Sequence, residues 1–331
     1  MDRDAPVKKI AVALFSVLFL AACGSQEAEK PAGWSDNDVS FEADGLTIHG
    51  TYRHEGKQGP AALLISESGP TDRNGDNKVV GPIGNMRQLA ETLSDKGVAS
   101  LRYDKVGTGK TGLGPYEQKP TDVTSAVYIT GAAAALRYLA DQPDTDDGRL
   151  SVYAVGEGAI HAMTLAGAGD PKVHSLGLFQ PLPGRYLDII TNRVRTDGNP
   201  EALTTWLAAV EQIRTKGTLP ANLPQGLSAI VNPGNLSAVV EADKIDPLEL
   251  AAKLPDGMPV LLTCSDVDKQ ATCEAERPLI DALGHTALTV VELKGVNHIL
   301  RDDPTDSIAN YSKPAPLSPQ VVDALAGFVS K

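Results

Sequence analysis

Short apolar runs recur along this chain at intervals that suit strand-then-helix units, and that rhythm admits few architectures. Leu46–Tyr52 reads as an early strand, and Ala61–Ser66 as a strand buried on both faces. Val98–Arg102, residues 149–155, Val173–Phe179, Val260–Thr263 and Leu288–Leu293 continue the series. Between them lie helical stretches. Residues 83–97 form one, and Val127, Gly131, Ala134 and Tyr138 place small or apolar groups on the inward stripe of a second. The small-residue run at 158–169 forms a third and carries His161, read as an ordinary structural residue. Val321, Val322, Leu325, Phe328 and Val329 make one face of a last helix. Strands alternating with helices predict an α/β fold with a mainly parallel sheet flanked by helices. The rhythm breaks between about 181 and 250. There Trp206, Val210 and Ile213 recur at helical spacing, so a mostly helical insertion is expected.

The amino terminus has a different character. Lys8 and Lys9 precede an uncharged run from Ile10 to Cys23, short for a bilayer span, and a polar stretch follows. The junction Leu20-Ala21-Ala22-Cys23 resembles the bacterial lipoprotein signal. The expectation is a signal peptide over 1–22 and a lipidated tether over 23–45. A folded domain over 46–331 would be exported and held at the cell membrane through acylated Cys23. Outside the reducing cytosol, Cys264 and Cys273 read as a disulfide closing a short loop, with two free thiols as the alternative. Two cysteines with no nearby histidine fall short of a zinc site, and no metal or cofactor is expected. The net charge of −12, with no basic cluster, excludes nucleic acid as a partner.

Open parallel sheets carry their working residues beyond the carboxyl ends of the strands. Those ends here are SESGPTDRNGD at 66–76, LRYDKVGTGKTG at 101–112, CSDVDKQ at 264–270 and GVNHIL at 295–300. A carboxylate after one late strand and a histidine after the next can meet. Asp268 would then hold the ring of His298 and fix its tautomer.

With these segments together, the chain resembles the α/β-hydrolase family, especially exported bacterial serine hydrolases of the aminopeptidase-like kind. The loop from Ser66 to Gly75, the segment Arg102-Tyr103-Asp104-Lys105 with Gly107, Gly109 and Lys110, and the late Asp268 and His298 carry the resemblance. It implies an α/β-hydrolase fold, a lid at 181–250, and Asp268 and His298 as acid and base. The family's elbow, Gly-x-Ser-x-Gly, is answered by Ala154-Val155-Gly156-Glu157-Gly158, which puts Gly156 where the nucleophile belongs. Glycine accepts the tight turn but offers no attacking atom. Glu157 follows, its backbone N–H expected in the oxyanion region together with Glu67 and Ser68. A one-residue slip would make Glu157 itself the nucleophile. Glu67 stands where the family keeps a glycine, and Val106 where it keeps an arginine.

The expectation is a pseudo-hydrolase: a membrane-anchored lipoprotein with a vestigial Asp268–His298 pair and a pocket for a small ligand or an envelope protein. The alternative is an active ester, amide or peptide hydrolase. It would use Asp268 and His298 with a relocated serine, Ser66 or Ser68, or with activated water.

Overall fold

The structure, a computed structural model, describes residues 33–330 apart from 197, 222, 224 and 229. The expected signal peptide and Cys23 lie outside the described residues. Eight strands form one sheet: β1 (Ser35–Ala43), β2 (Leu46–His54), β3 (Gly59–Ile65), β4 (Ala99–Tyr103), β5 (Thr145–Val155), β6 (Ser175–Phe179), β7 (Pro259–Ser265) and β8 (Ala287–Leu293). Their order is β1-β2-β4-β3-β5-β6-β7-β8. β1 and β2 pair antiparallel, as do β2 and β4, and every later pairing is parallel. This is the α/β-hydrolase fold.

The central strands are apolar because helices cover both of their faces. On one side, α1 (Asn85–Ser94) and a carboxyl-terminal helix over Pro319–Val329 pack Leu89, Leu93, Val321 and Leu325 against Leu64, Val155 and Leu261. On the other, α2 (Ser125–Ala140) and α3 (Gly158–Ala168) meet Leu63, Leu101, Val152 and Leu178. Small residues set the distance between these layers. A Cβ on Gly158 would lie 2.8 Å from the Ile65 carbonyl and 3.0 Å from that of Ser66, so α3 begins hard against β3.

The insertion is helical, as expected. α4 (Tyr186–Thr196), α5 (Pro200–Lys216), α6 (Gln225–Ser228), α7 (Leu236–Asp243) and α8 (Pro247–Ala251) follow one another between β6 and β7. They have a core of their own, in which Leu187, Ile190, Val210, Ile213 and Val231 surround the fully buried Trp206. The Trp206 indole N–H donates to the Thr191 hydroxyl at 2.9 Å. Asp243 ties the helices together, accepting from Arg185, Arg214 and the Leu187 N–H.

One boundary differs from expectation. Within the stretch 23–45, read as a tether, Ser35–Ala43 is the edge strand β1, so the sheet begins at Ser35 and not near residue 46. Its sequence SDNDVSFEA buries little, and its charged side chains reach arginines on β2 and β4 and cations on two loops instead. Asp36 accepts from Arg53 and Arg102, and Asp38 pairs with Arg73 and Lys110.

Candidate active site

Four loops at the carboxyl edge of the sheet meet at one point. The loop after β5 supplies Gly156, with φ +54° in the left-handed region that favours glycine. Its N–H donates to the Phe179 carbonyl at 3.0 Å, and its own carbonyl accepts from Ala159 as α3 starts. The strand-turn-helix of the elbow is therefore intact, with no side chain at its apex.

The loop after β7 supplies Asp268, fully buried. Oδ1 accepts from the backbone N–H groups of Gln270 and Ala271, at 2.7 and 3.2 Å. Oδ2 lies 2.8 Å from His298 Nδ1. Cys264 and Cys273 are bridged, closing the loop that carries Asp268. From the loop after β8, His298 is buried, and its N–H donates to Asp306 at 3.1 Å. Asp306 in turn accepts from the Tyr311 hydroxyl.

The remaining ring nitrogen is taken. His298 Nε2 lies 3.0 Å from Glu67 Oε2, on the loop after β3. Glu67 Oε1 accepts from the Ser68 N–H at 2.6 Å and, more loosely, from the Glu157 N–H at 3.4 Å. A Cβ built on Gly156 would fall 1.4 Å from Glu67 Oε2, about the length of a carbon–oxygen single bond. Oε2 thus stands at the distance from a residue-156 Cβ that a serine oxygen would have, and in hydrogen-bond contact with the histidine.

The electrostatics follow from these contacts. Burial would raise the Glu67 carboxyl, but the hydrogen bond and charge of His298, with help from Ser68, hold it at about 2. Burial would likewise lower His298, and the two carboxylates outweigh it, raising the ring well above its ordinary value. The resting state is an imidazolium between two carboxylates. Glu276, also fully buried, has neither carboxyl oxygen hydrogen-bonded among the described residues. Burial and the Asp268 charge push its carboxyl well above the ordinary range.

Asp268, His298, Gly156, Glu67, Ser68 and Glu157, all singled out from sequence, come together here. Ser66 is buried and turns away, its hydroxyl donating to the Thr71 carbonyl at 3.2 Å. Among the described residues the partner of His298 Nε2 is a carboxylate, not the hydroxyl of Ser66 or Ser68. The Glu157 side chain is influenced by Lys105, and burial raises its carboxyl. Val106 is buried beside Tyr103 and Lys105 along one cavity. His161 is buried in α3, its ring centroid 6.1 Å from that of Tyr128, and burial next to the Lys105 charge lowers it to about 3.

Two features were missed from sequence. Arg73 and Asp104 form a buried frame: Asp104 accepts from the Arg73 guanidinium at 2.8 Å, from the Arg73 backbone N–H and from the backbone N–H of the exposed Lys110. Gly109 is required there, since a Cβ would lie 2.2 Å from the Asp104 carboxylate. The segment that carried much of the resemblance is therefore architectural. The other is the cavity of about 180 Å³ beside the site, lined by Leu46, Ile48, Tyr103, Lys105, Tyr116 and Tyr128 among others. Lys105 Nζ donates to the Glu67 carbonyl and so joins this cavity to the site.

No family model matches the chain. Esterase EstD of Thermotoga maritima is 23% identical over 342 residues, covering 100% of this chain and 75% of that protein. The structure of DcsB in complex with its substrate analogue superposes with a TM-score of 0.59 at 17% identity, covering 89% of this chain and 98% of that one. Est1E from Butyrivibrio proteoclasticus gives 0.55 at 18% identity, over 88% and 97%. Hypothetical protein PA2218 from Pseudomonas aeruginosa gives 0.59 at 14%, over 91% and 94%. At these identities the likeness is one of fold.

Proposed function

We propose that this chain is a small-molecule hydrolase that works without an elbow serine, with Asp268 and His298 as its acid–base pair. The observation that carries the proposal is the His298 ring held 2.8 Å from Asp268, its other nitrogen directed to the point above Gly156. The esterases among the proteins of like fold point to ester, amide or peptide bonds as the first to try. The folded domain is exported and held at the membrane through acylated Cys23. Intact mass of the mature chain, beginning at Cys23 with added acyl groups, tests that part.

The functional test is turnover of a panel of aryl esters, aryl amides and short peptides. Activity lost in His298→Ala and kept in Ser66→Ala and Ser68→Ala supports the reading. A second reading has its own observation. Glu67 fills the apex and binds the neighbouring N–H groups, which suits a pseudo-hydrolase that binds a small ligand or an envelope protein without turnover. Tight ligand binding in the absence of turnover of any panel member favours it.

A further inference from the structure

Lys105 carries a charge into the interior with no ion pair to meet it. The residue is 5% exposed, and its ammonium donates to one hydrogen-bond partner among the described residues, the neutral Glu67 carbonyl. The Tyr128 ring, with its centroid 5.8 Å away, offers a π face. Of the two carboxylates nearby, Glu67 is paired with His298, and Glu157 acts on Lys105 only through space. Buried charges are ordinarily paired, because an ammonium taken out of water without a counter-ion is costly. Tyr103 has a second unmet group. It is 2% exposed, and its hydroxyl has no partner among the described residues.

Both residues border the cavity of about 180 Å³ between β2, β4 and α2. None of Glu67, Ser68, Gly156, Glu157 or His298 lines it, so it is separate from the elbow. Leu46, Ile48 and Val106 make apolar walls, and Tyr116 and Tyr128 add aromatic faces. The mouth lies at Asp44 and Ala126, both exposed. There the Asp44 charge is screened by water, whereas the Lys105 charge at the buried end is not.

We propose that this cavity is a binding site for a small aromatic carboxylic acid, its carboxylate received by Lys105 and the Tyr103 hydroxyl. The unmet groups are donors, so the ligand must bring an acceptor, and the ammonium selects an anionic one. The walls select the rest of the molecule. An apolar cavity of about 150 Å³ holds a benzene ring, so a single ring fits here, and the tyrosine faces favour an aromatic one. No elbow group takes part, so the site goes beyond the hydrolase reading and does not depend on turnover.

The test is a ligand-observed NMR titration of the full chain with benzoate and with its neutral isostere benzamide. The expected result is one benzoate site, about tenfold or more tighter than benzamide, with that preference erased in Lys105→Met. Two further variants keep the test decisive if Lys105→Met fails to fold. Tyr103→Phe removes an atom that has no partner and should weaken benzoate about threefold to tenfold. Ala126→Trp closes the mouth from an exposed position and should abolish binding. Equal affinity for benzoate and benzamide, or no binding of benzoate at millimolar concentration, overturns the proposal. Benzoate binding that survives Ala126→Trp and is lost in His298→Ala also overturns it, by putting the acid at the elbow imidazolium.

Discussion

Glu67 and Gly156 share one position: a side chain on either residue fills the space above the elbow, and here it belongs to Glu67. The 1.4 Å between Glu67 Oε2 and a Cβ on Gly156 makes the two residues mutually exclusive in size.

Gly156→Ser therefore does not restore a serine site. The substitution places a side chain at φ +54° and drives it into Glu67. The expected loss is about 2–4 kcal/mol, from backbone strain and overpacking together. Gly156→Ser combined with Glu67→Gly relieves the overlap, so the double variant is more stable than the two separate losses predict. Denaturant melts of the four proteins measure this coupling. A fluorophosphonate probe is expected to label the introduced hydroxyl at position 156 in the double variant and no residue in the wild type.

The ion pair of Glu67 with His298 sets a pH window for stability. Glu67 is depressed to about 2, so its contribution is present above its ordinary 4.5 and is lost as pH falls through about 2. His298 is raised, so its contribution is complete below its ordinary 6.5 and is lost as pH climbs through the elevated value. Glu67→Gln removes a charge facing a buried imidazolium and is expected to cost about 3 kcal/mol at pH 6. Melting temperature measured against pH should show the gap between wild type and variant closing at both ends.

Reduction of the Cys264–Cys273 bridge slackens the loop that holds Asp268. Replacing both cysteines by serine is expected to cost about 2–3 kcal/mol, the loop-closure entropy of a short ring. The Gln270 and Ala271 N–H groups, held by Asp268 Oδ1, should then exchange with solvent faster. Unchanged exchange at both positions would show that the bridge does not support Asp268.

Asp243→Ala should loosen the lid and spare the sheet. Asp243 is almost fully buried and is held by two arginines and a backbone N–H. Its removal takes the counter-charge from Arg185 and leaves Arg214 only Asp188, at an expected cost of about 3–5 kcal/mol. Hydrogen exchange should accelerate over 186–243 with little change in β3, β5 and β7.

What could be read in advance depended on where each residue sits. Ala61–Ile65 was legible because a parallel strand covered on both faces must be apolar throughout. β1 was not, since an edge strand whose Asp36 and Asp38 serve distant arginines resembles a polar tether in every local property. Asp268 and His298 were legible as ends of successive strands. The place of Glu67 was not, because it depends on the absence of a side chain at Gly156, on a different loop and far along the chain. The signal lay in the pairing: the residue gained at 67 is long and acidic, and the residue lost at 156 is the one it replaces in space. Arg73 and Asp104 were seen as family markers. Their role as a frame follows only from the contacts each makes across β2 and β4.

The edge strand also has a mechanical meaning. Tension applied on the amino-terminal side enters the domain at Ser35, and the first side chains along β1 are Asp36 and Asp38. Their guanidinium partners, Arg102 and Arg73, belong to β4 and to the same loop as Glu67. Load on β1 is therefore shared between its ladder to β2, the stacking of Phe41 on Tyr138 of α2 and these two ion pairs. Peeling β1 away would take Asp36 and Asp38 from Arg102 and Arg73, while the buried Arg73–Asp104 pair goes on holding the Glu67 loop.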